Sequence, residues 1–268
     1  MEHPINNLPM TTITTEQVKE LRDKTGVSVM QCRKALEESA GDMEKAIIIL
    51  RKKGGEIAEK KSDRSAVDGR IVIKNDGKRS LVLVLNCETD FVAQNDDFKT
   101  LAETLTTIAW EKGIDAAKEA SQALINDVVL KIGENIQLGH IEEIAGDTVG
   151  TYTHFNGKSA AVVALKGGDE AVAKDIAMHA AAMKPTYLSS NDISEDTRTE
   201  VRAVLEKEVL ESDKPEDIKQ KMLEGKIATY FKELSLLDQD FFKDPSMTIA
   251  SYAQAHGATV ETFKLYTL

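Results

Sequence analysis

A few segments of this 268-residue chain hold residue types that could do chemistry. The first is Asn86-Cys87-Glu88-Thr89-Asp90-Phe91-Val92, which places a thiol, a hydroxyl and two carboxylates side by side. A cysteine nucleophile needs a base to take its proton, and no histidine stands near Cys87 in sequence. Cys87 therefore reads as a buried strand-end cysteine rather than a nucleophile. The second segment, Gly157-Lys158-Ser159, ends like a phosphate-binding loop. Position 152, however, is Tyr152 where that pattern needs glycine, and the segment reads as a hairpin turn. The five histidines and two cysteines show no metal-ligand spacing. What remains is Asp90, a carboxylate, beside Phe91, a large ring. Their chemistry is recognition. A ring left in water forgoes roughly 2 kcal/mol of burial, so an exposed Phe91 is aimed at something outside the chain. The competing reading folds Phe91 back over its own core and makes Asp90 an ordinary turn residue.

The elements that must hold this segment are legible on both sides. Leu81-Val82-Leu83-Val84-Leu85 reads as a buried strand, and a helix should start near Asn95 with Phe98, Leu101, Ala102, Leu105, Ile108 and Ala109 on one face. A strand-to-helix connection is a rigidly held surface position where function concentrates. Gly69 to Leu85 reads as a β-hairpin turning at Asn75-Asp76-Gly77. Gly150 to Leu165 reads as a second hairpin, turning at Asn156-Gly157, followed by a helix over 169–184 that Pro185 stops. The two units look like related α+β subdomains. After its second strand the second unit has only Lys166-Gly167-Gly168-Asp169, so the Thr89–Val92 connection of the first is expected to be the longer loop. A helix near 116–131 and a strand near 136–144 belong to the first unit.

Residues 12–54 read as three short helices. Thr14 with Gln17 and Ser28 with Gln31 fit capping boxes, Asp42 can cap the third helix, and Gly26, Gly41 and Gly54 are expected stops. Val29, Cys32 and Leu36 form an apolar stripe, which places Val29 in the core and leaves Met30 off it. Some 40 residues make a small core, so this is a minimal helical module. The polar stretch that follows, 55–66, reads as a linker. Residues 194–234 read as an antiparallel helical hairpin, with Val201, Val204, Leu205 and Val209 facing Ile218, Met222, Ile227 and Phe231, and a break at Asp213-Lys214-Pro215. Beyond it, strand, helix and strand over 236–268 are expected to return to the second subdomain. The fold class is α+β. The boundaries are 12–54 for the three-helix module and 55–66 for the linker. The first core subdomain spans 67–146, the second 147–193 with 235–268, and the inserted hairpin 194–234.

Composition narrows the function. A formal net charge of -11 argues against non-specific binding to nucleic acid or an anionic membrane. Two distant cysteines suggest a reducing compartment without a disulfide framework. Met1-Glu2-His3-Pro4 shows no basic region followed by an apolar one, and the apolar runs are far short of the ~20 residues needed to span a bilayer. A cytoplasmic protein is expected.

With these residues in place, the chain resembles the elongation factor Ts family of translation factors. The segment Asn86–Val92 carries the likeness most strongly. Val18-Lys19-Glu20-Leu21-Arg22, Thr25-Gly26-Val27, Cys32-Arg33-Lys34-Ala35-Leu36, Lys131-Ile132-Gly133-Glu134-Asn135-Ile136 and Ile176-Ala177-Met178-His179-Ala180-Ala181 add to it, and it extends in order over 12–268. The resemblance implies a ubiquitin-associated-like (UBA-like) module, a two-subdomain core and a coiled-coil hairpin. It implies guanine-nucleotide exchange on elongation factor Tu, with no active-site chemistry and no cofactor of its own, since the partner holds GDP, GTP and Mg²⁺. Thr89, Asp90, Phe91 and Val92 would enter the partner's GTPase domain near its Mg²⁺ site, with Phe91 as the wedge. His179 would support that contact from the second subdomain, and Arg22, Val29 and Met30 would touch the partner from the helical module. Val29 departs from the frequent methionine, and Gln94 from a frequent basic residue. Two other classes compete: an enzyme using Cys87 and Asp90, and a helical-hairpin scaffold or holdase without exchange activity.

Overall fold

The computed structural model describes residues 12–211 and 214–268. The chain forms two compact units, one of residues up to 72 together with 83–141, the other of 73–82 together with 142–268.

The first unit begins with α1 (Thr15–Thr25), α2 (Val29–Glu38) and α3 (Met43–Lys61). Thr14 and Gln17 close a full capping box on α1, Ser28 caps α2 and Asp42 caps α3. Leu21, Cys32, Ala35, Leu36, Ala46 and Leu50 are the buried centre. Two expectations are corrected. Gly54 does not stop α3, which continues to Lys61 and takes in much of the stretch read as linker. A Cβ on Gly54 would lie 2.4 Å from the Asn126 carbonyl oxygen of α6 (Ile114–Ile132), so glycine is there to let two helices cross closely. That contact offsets the ~1 kcal/mol that glycine costs inside a helix. Val29 is not a core residue but half exposed. The core position next to it is taken by Val27, which precedes the cap and packs with Cys32 four residues into the helix, the spacing of a hydrophobic staple. Leu130 of α6 joins the same cluster, so the small module completes its core from outside itself.

β1 (Asp68–Asn75), β2 (Arg79–Cys87) and β3 (Ile136–Ala145) form a sheet in that order. Leu81 to Leu85 are buried, as the continuous apolar run predicts. α4 (Asp90–Ala93) and α5 (Asp96–Lys112) follow β2, and Leu83, Leu85, Phe98, Leu101, Leu105 and Val129 share one core.

The second unit repeats the plan. β4 (Thr148–Thr153) pairs antiparallel with β5 (Ser159–Gly167), with Thr148 opposite Leu165. β5 also pairs antiparallel with β8 (Ala258–Thr267), with Ser159 opposite Thr267. In both sheets the second strand of the hairpin is central. α7 (Glu170–Met183) packs on this sheet through Val172, Ala173, Ile176, Ala177 and Ala180. α8 (Glu195–Leu210) and α9 (Glu216–Leu234) run antiparallel: Arg198 lies over the Phe231 ring, Glu208 meets Lys226, and Lys219 reaches the Leu210 carbonyl. Val209, Leu223 and Phe231 are buried, whereas Val204 is exposed, off the stripe it was expected to join. Asp213, part of the expected break, lies outside the described residues; Pro215 is the N-cap of α9.

The first of the elements expected over 236–268, a strand, is instead a 3₁₀ turn (Leu236–Asp238) and a two-residue strand, β6 (Asp240–Phe241), paired with β7 (Asp244–Thr248) ahead of α10 (Ile249–Ala255). Leu236, Phe241 and Ile249 enter the same core cluster, which the period of a single strand would not allow. No described helix is long and apolar enough to cross a membrane.

Candidate functional site

Residues Asp90 to Ala93 form a single helical turn, α4, set between β2 and α5. Thr89 is its N-cap, its hydroxyl oxygen accepting from the Val92 N–H, and Asn95 caps α5, accepting from the Asp97 and Phe98 N–H groups. The four residues divide their roles. Val92 is buried and Ala93 more so, both in the core beneath the sheet. Asp90 and Phe91 face outward, and Phe91 is 84% exposed. The fold-back reading of Phe91 is thereby excluded for the free chain. The sheet-to-helix connections of the two units are also of equal length: β5 ends at Gly167 and α7 is capped by Asp169, just as β2 ends at Cys87 and α4 is capped by Thr89. The expected longer loop is a capped turn of the same length carrying a different side chain.

An isolated four-residue helix has no stability of its own. This one is tied from outside. The Thr89 backbone N–H donates to Glu134 Oε2 at 3.1 Å, and its hydroxyl donates to Glu134 Oε1 at 2.8 Å. In return the Asn135 N–H donates to Glu88 Oε1 at 2.7 Å. The Asn135 side-chain amide donates to the Arg64 carbonyl at 2.7 Å, where the chain leaves α3. Gly133 makes this reach possible. It closes α6 in the left-handed region, φ +80°, and turns the chain so that the next two residues face the 88–89 backbone. Glu88, Glu134 and Asn135 are contributors that the sequence reading did not assign. The sequence sign was present in Gly133-Glu134-Asn135, a helix stop followed at once by a carboxylate and an amide.

Cys87 is fully buried and its Sγ donates to the Thr89 carbonyl at 3.1 Å, the setting of a structural thiol. Among the described residues no group of His, Cys, Asp and Glu could hold a metal ion.

The remaining expected contacts fall in two places. Arg22, exposed in the last turn of α1, and Val29 and Met30, exposed in the first turn of α2, belong to the first unit with Phe91. Met30 is 82% exposed. His179 belongs to the second unit and is fully buried on α7. Its Nδ1 accepts from the Phe242 N–H at 3.3 Å, which leaves Nε2 to donate to Gln239 Oε1 at 2.9 Å. Burial holds the imidazole below its usual ionisation range, against a smaller opposing effect of the Gln239 bond. The ring stacks on Phe242, which is partly exposed.

Comparison with known proteins identifies the family. The profile of the family described as Elongation factor TS matches residues 88–268, which includes the capped turn, His179 and the helical hairpin. A curated relative, the elongation factor Ts of Levilactobacillus brevis, is 43% identical over 267 residues, covering 95% of this chain and 91% of the relative. On both grounds the chain belongs to the elongation factor Ts family, proteins of translation elongation.

Proposed function

We propose that this chain is a guanine-nucleotide exchange factor for elongation factor Tu. The observation that carries the reading is Phe91, an exposed ring on a turn whose cap, Thr89, is bound by Glu134 and whose next two residues, Val92 and Ala93, are buried. Burying that ring in an apolar pocket of the partner supplies roughly 2–3 kcal/mol. A hundredfold weakening of GDP affinity needs only about 2.8 kcal/mol of coupling, and the coupling acts in both directions. Asp90, one position before the ring, brings a negative charge to the surroundings of the partner's Mg²⁺. Dislocating that ion removes charge neutralisation from the bound phosphates and speeds GDP release.

In this reading Thr89 and Val92 hold the turn, and Asp90 and Phe91 make the contact. Arg22, Val29 and Met30 form a further contact from the UBA-like module. His179, being enclosed, acts by fixing Phe242 and Gln239 rather than through its own surface. The α8–α9 hairpin is the family's coiled coil. The factor needs no cofactor and does no covalent chemistry; nucleotide and Mg²⁺ belong to the partner. The place of action is the cytoplasm.

The test is release of a fluorescent GDP analogue from elongation factor Tu at several Mg²⁺ concentrations. Acceleration that shrinks as Mg²⁺ rises is expected. A second reading, a hairpin scaffold or holdase, draws on the exposed Val204, Leu210, Ile218 and Tyr230 of α8 and α9. It predicts binding to the GTPase with unchanged GDP release.

A further inference from the structure

The clasp between residues 88–89 and 134–135 is more than a loop contact. Both oxygens of the Glu134 carboxylate are spent on one residue, the N-cap of α4. The Glu88 carboxylate returns the bond to the backbone next to Glu134. The clasp therefore fixes Thr89 in position and in direction, and Thr89 sets the start of a turn on which Phe91 is the second residue. Hydrogen bonds to a charged acceptor are the strong kind, and two on one residue leave little freedom of rotation. The corresponding position of the second unit is built otherwise. There Gly168 stands in place of Glu88, packed so closely that an added Cβ would come 2.7 Å from the Ala258 Cβ. That turn opens a fourteen-residue helix, α7, which holds itself in place. The carboxylate clasp occurs where the turn is too short to hold itself and where the ring is exposed.

We infer that Glu134 is a positioning residue for nucleotide exchange, acting through Thr89 to aim Phe91. The inference rests on the exchange reading above for its functional half and on geometry alone for its structural half. The experiment separates the two. GDP release from elongation factor Tu is measured at saturating factor with wild type, Glu134→Gln, Phe91→Ala and the double variant, with thermal unfolding as the check on folding. Glu134→Gln turns one acceptor into a donor facing Thr89. It should lower the saturating rate about tenfold. In the Phe91→Ala background the same change should have less than about twofold effect, because residues acting through one another do not add. Thr89→Ser, which keeps the hydroxyl that Glu134 accepts from, should lose less than Glu134→Gln, and an equal loss would overturn the role of that bond. Equal losses in both backgrounds would overturn the positioning role, as would no loss in either. Hydrogen exchange of the Val92 to Gln94 amides, each bonded within the turn, is followed in the same free proteins. Faster exchange in Glu134→Gln supports the clasp, and unchanged protection overturns it. If wild type fails to accelerate GDP release, the exchange reading falls and the amide data still decide the clasp.

Discussion

The turn after β2 and the turn after β5 are the same structure with different contents. Each follows the central strand of a three-stranded sheet, and each opens with a side-chain cap, Thr89 or Asp169, accepting from the N–H three residues on. An exposed acid comes next, Asp90 or Glu170, and two residues later come a buried valine and a buried alanine, Val92-Ala93 or Val172-Ala173. Between acid and valine stands Phe91 in the first unit and Ala171 in the second, both exposed. The first helix then breaks after one turn and restarts at Asn95, whereas the second runs on to Met183. The scaffold needs the cap and the valine. It does not need the ring, and the second unit shows what the connection looks like without it.

If the two turns are structurally equivalent, their anchors should weigh alike. Val92→Ala and Val172→Ala should each lower stability by about 2 kcal/mol in urea unfolding, the cost of a small buried cavity. A large difference between them would break the equivalence. The next effect belongs to the second unit alone. His179 ionises at lower pH in the folded chain than its unfolded value near 6.5, so its contribution is complete above that value. As pH falls below 6.5 the unfolded chain takes up the proton first and stability declines, by up to about 1.4 kcal/mol per pH unit, until the lower folded value is passed. Amide exchange of α7 measured from pH 7.5 downward should show this slope, and His179→Gln should remove it.

Smaller differences follow at the caps. Asp169→Ala should cost about 1 kcal/mol. Thr89→Ala should cost somewhat more, because it also strips a hydroxyl from Glu134, and thermal unfolding compares them directly. The smallest effect on stability is expected at the position where the turns differ most. Phe91→Ala, at an exposed side chain, should stay within about 0.5 kcal/mol of wild type.

Much of this comparison was legible in the sequence, for particular reasons. The continuous run Leu81–Leu85, the Asn-Gly and Asp-Gly turns and the α7 stripe ending before Pro185 are local signals, and each falls where the pattern places it. The buried Cys87 followed from the lack of a nearby base. What stayed hidden depended on distant partners. Gly54 looks like a stop until Asn126 is seen against it, and Val29 looks like core until Val27 is seen to occupy that place. Glu134 lies 45 residues from Thr89, so no local window contains their bond. The equal length of the two connections was missed because Gly167-Gly168 resembles a minimal loop, while a Cys-Glu-Thr-Asp run does not resemble a helix start. The cap positions show that they are one motif.

The proposed exchange function rests on Phe91, displayed by a turn that Glu134 holds at Thr89. Its most direct test is the release of a fluorescent GDP analogue from elongation factor Tu by wild type and by Phe91→Ala, both confirmed folded. Fast release by wild type is expected, with a loss on the order of 30- to 150-fold in the variant, the rate equivalent of burying one phenylalanine. Equal rates would contradict it and move the exchange function away from the ring.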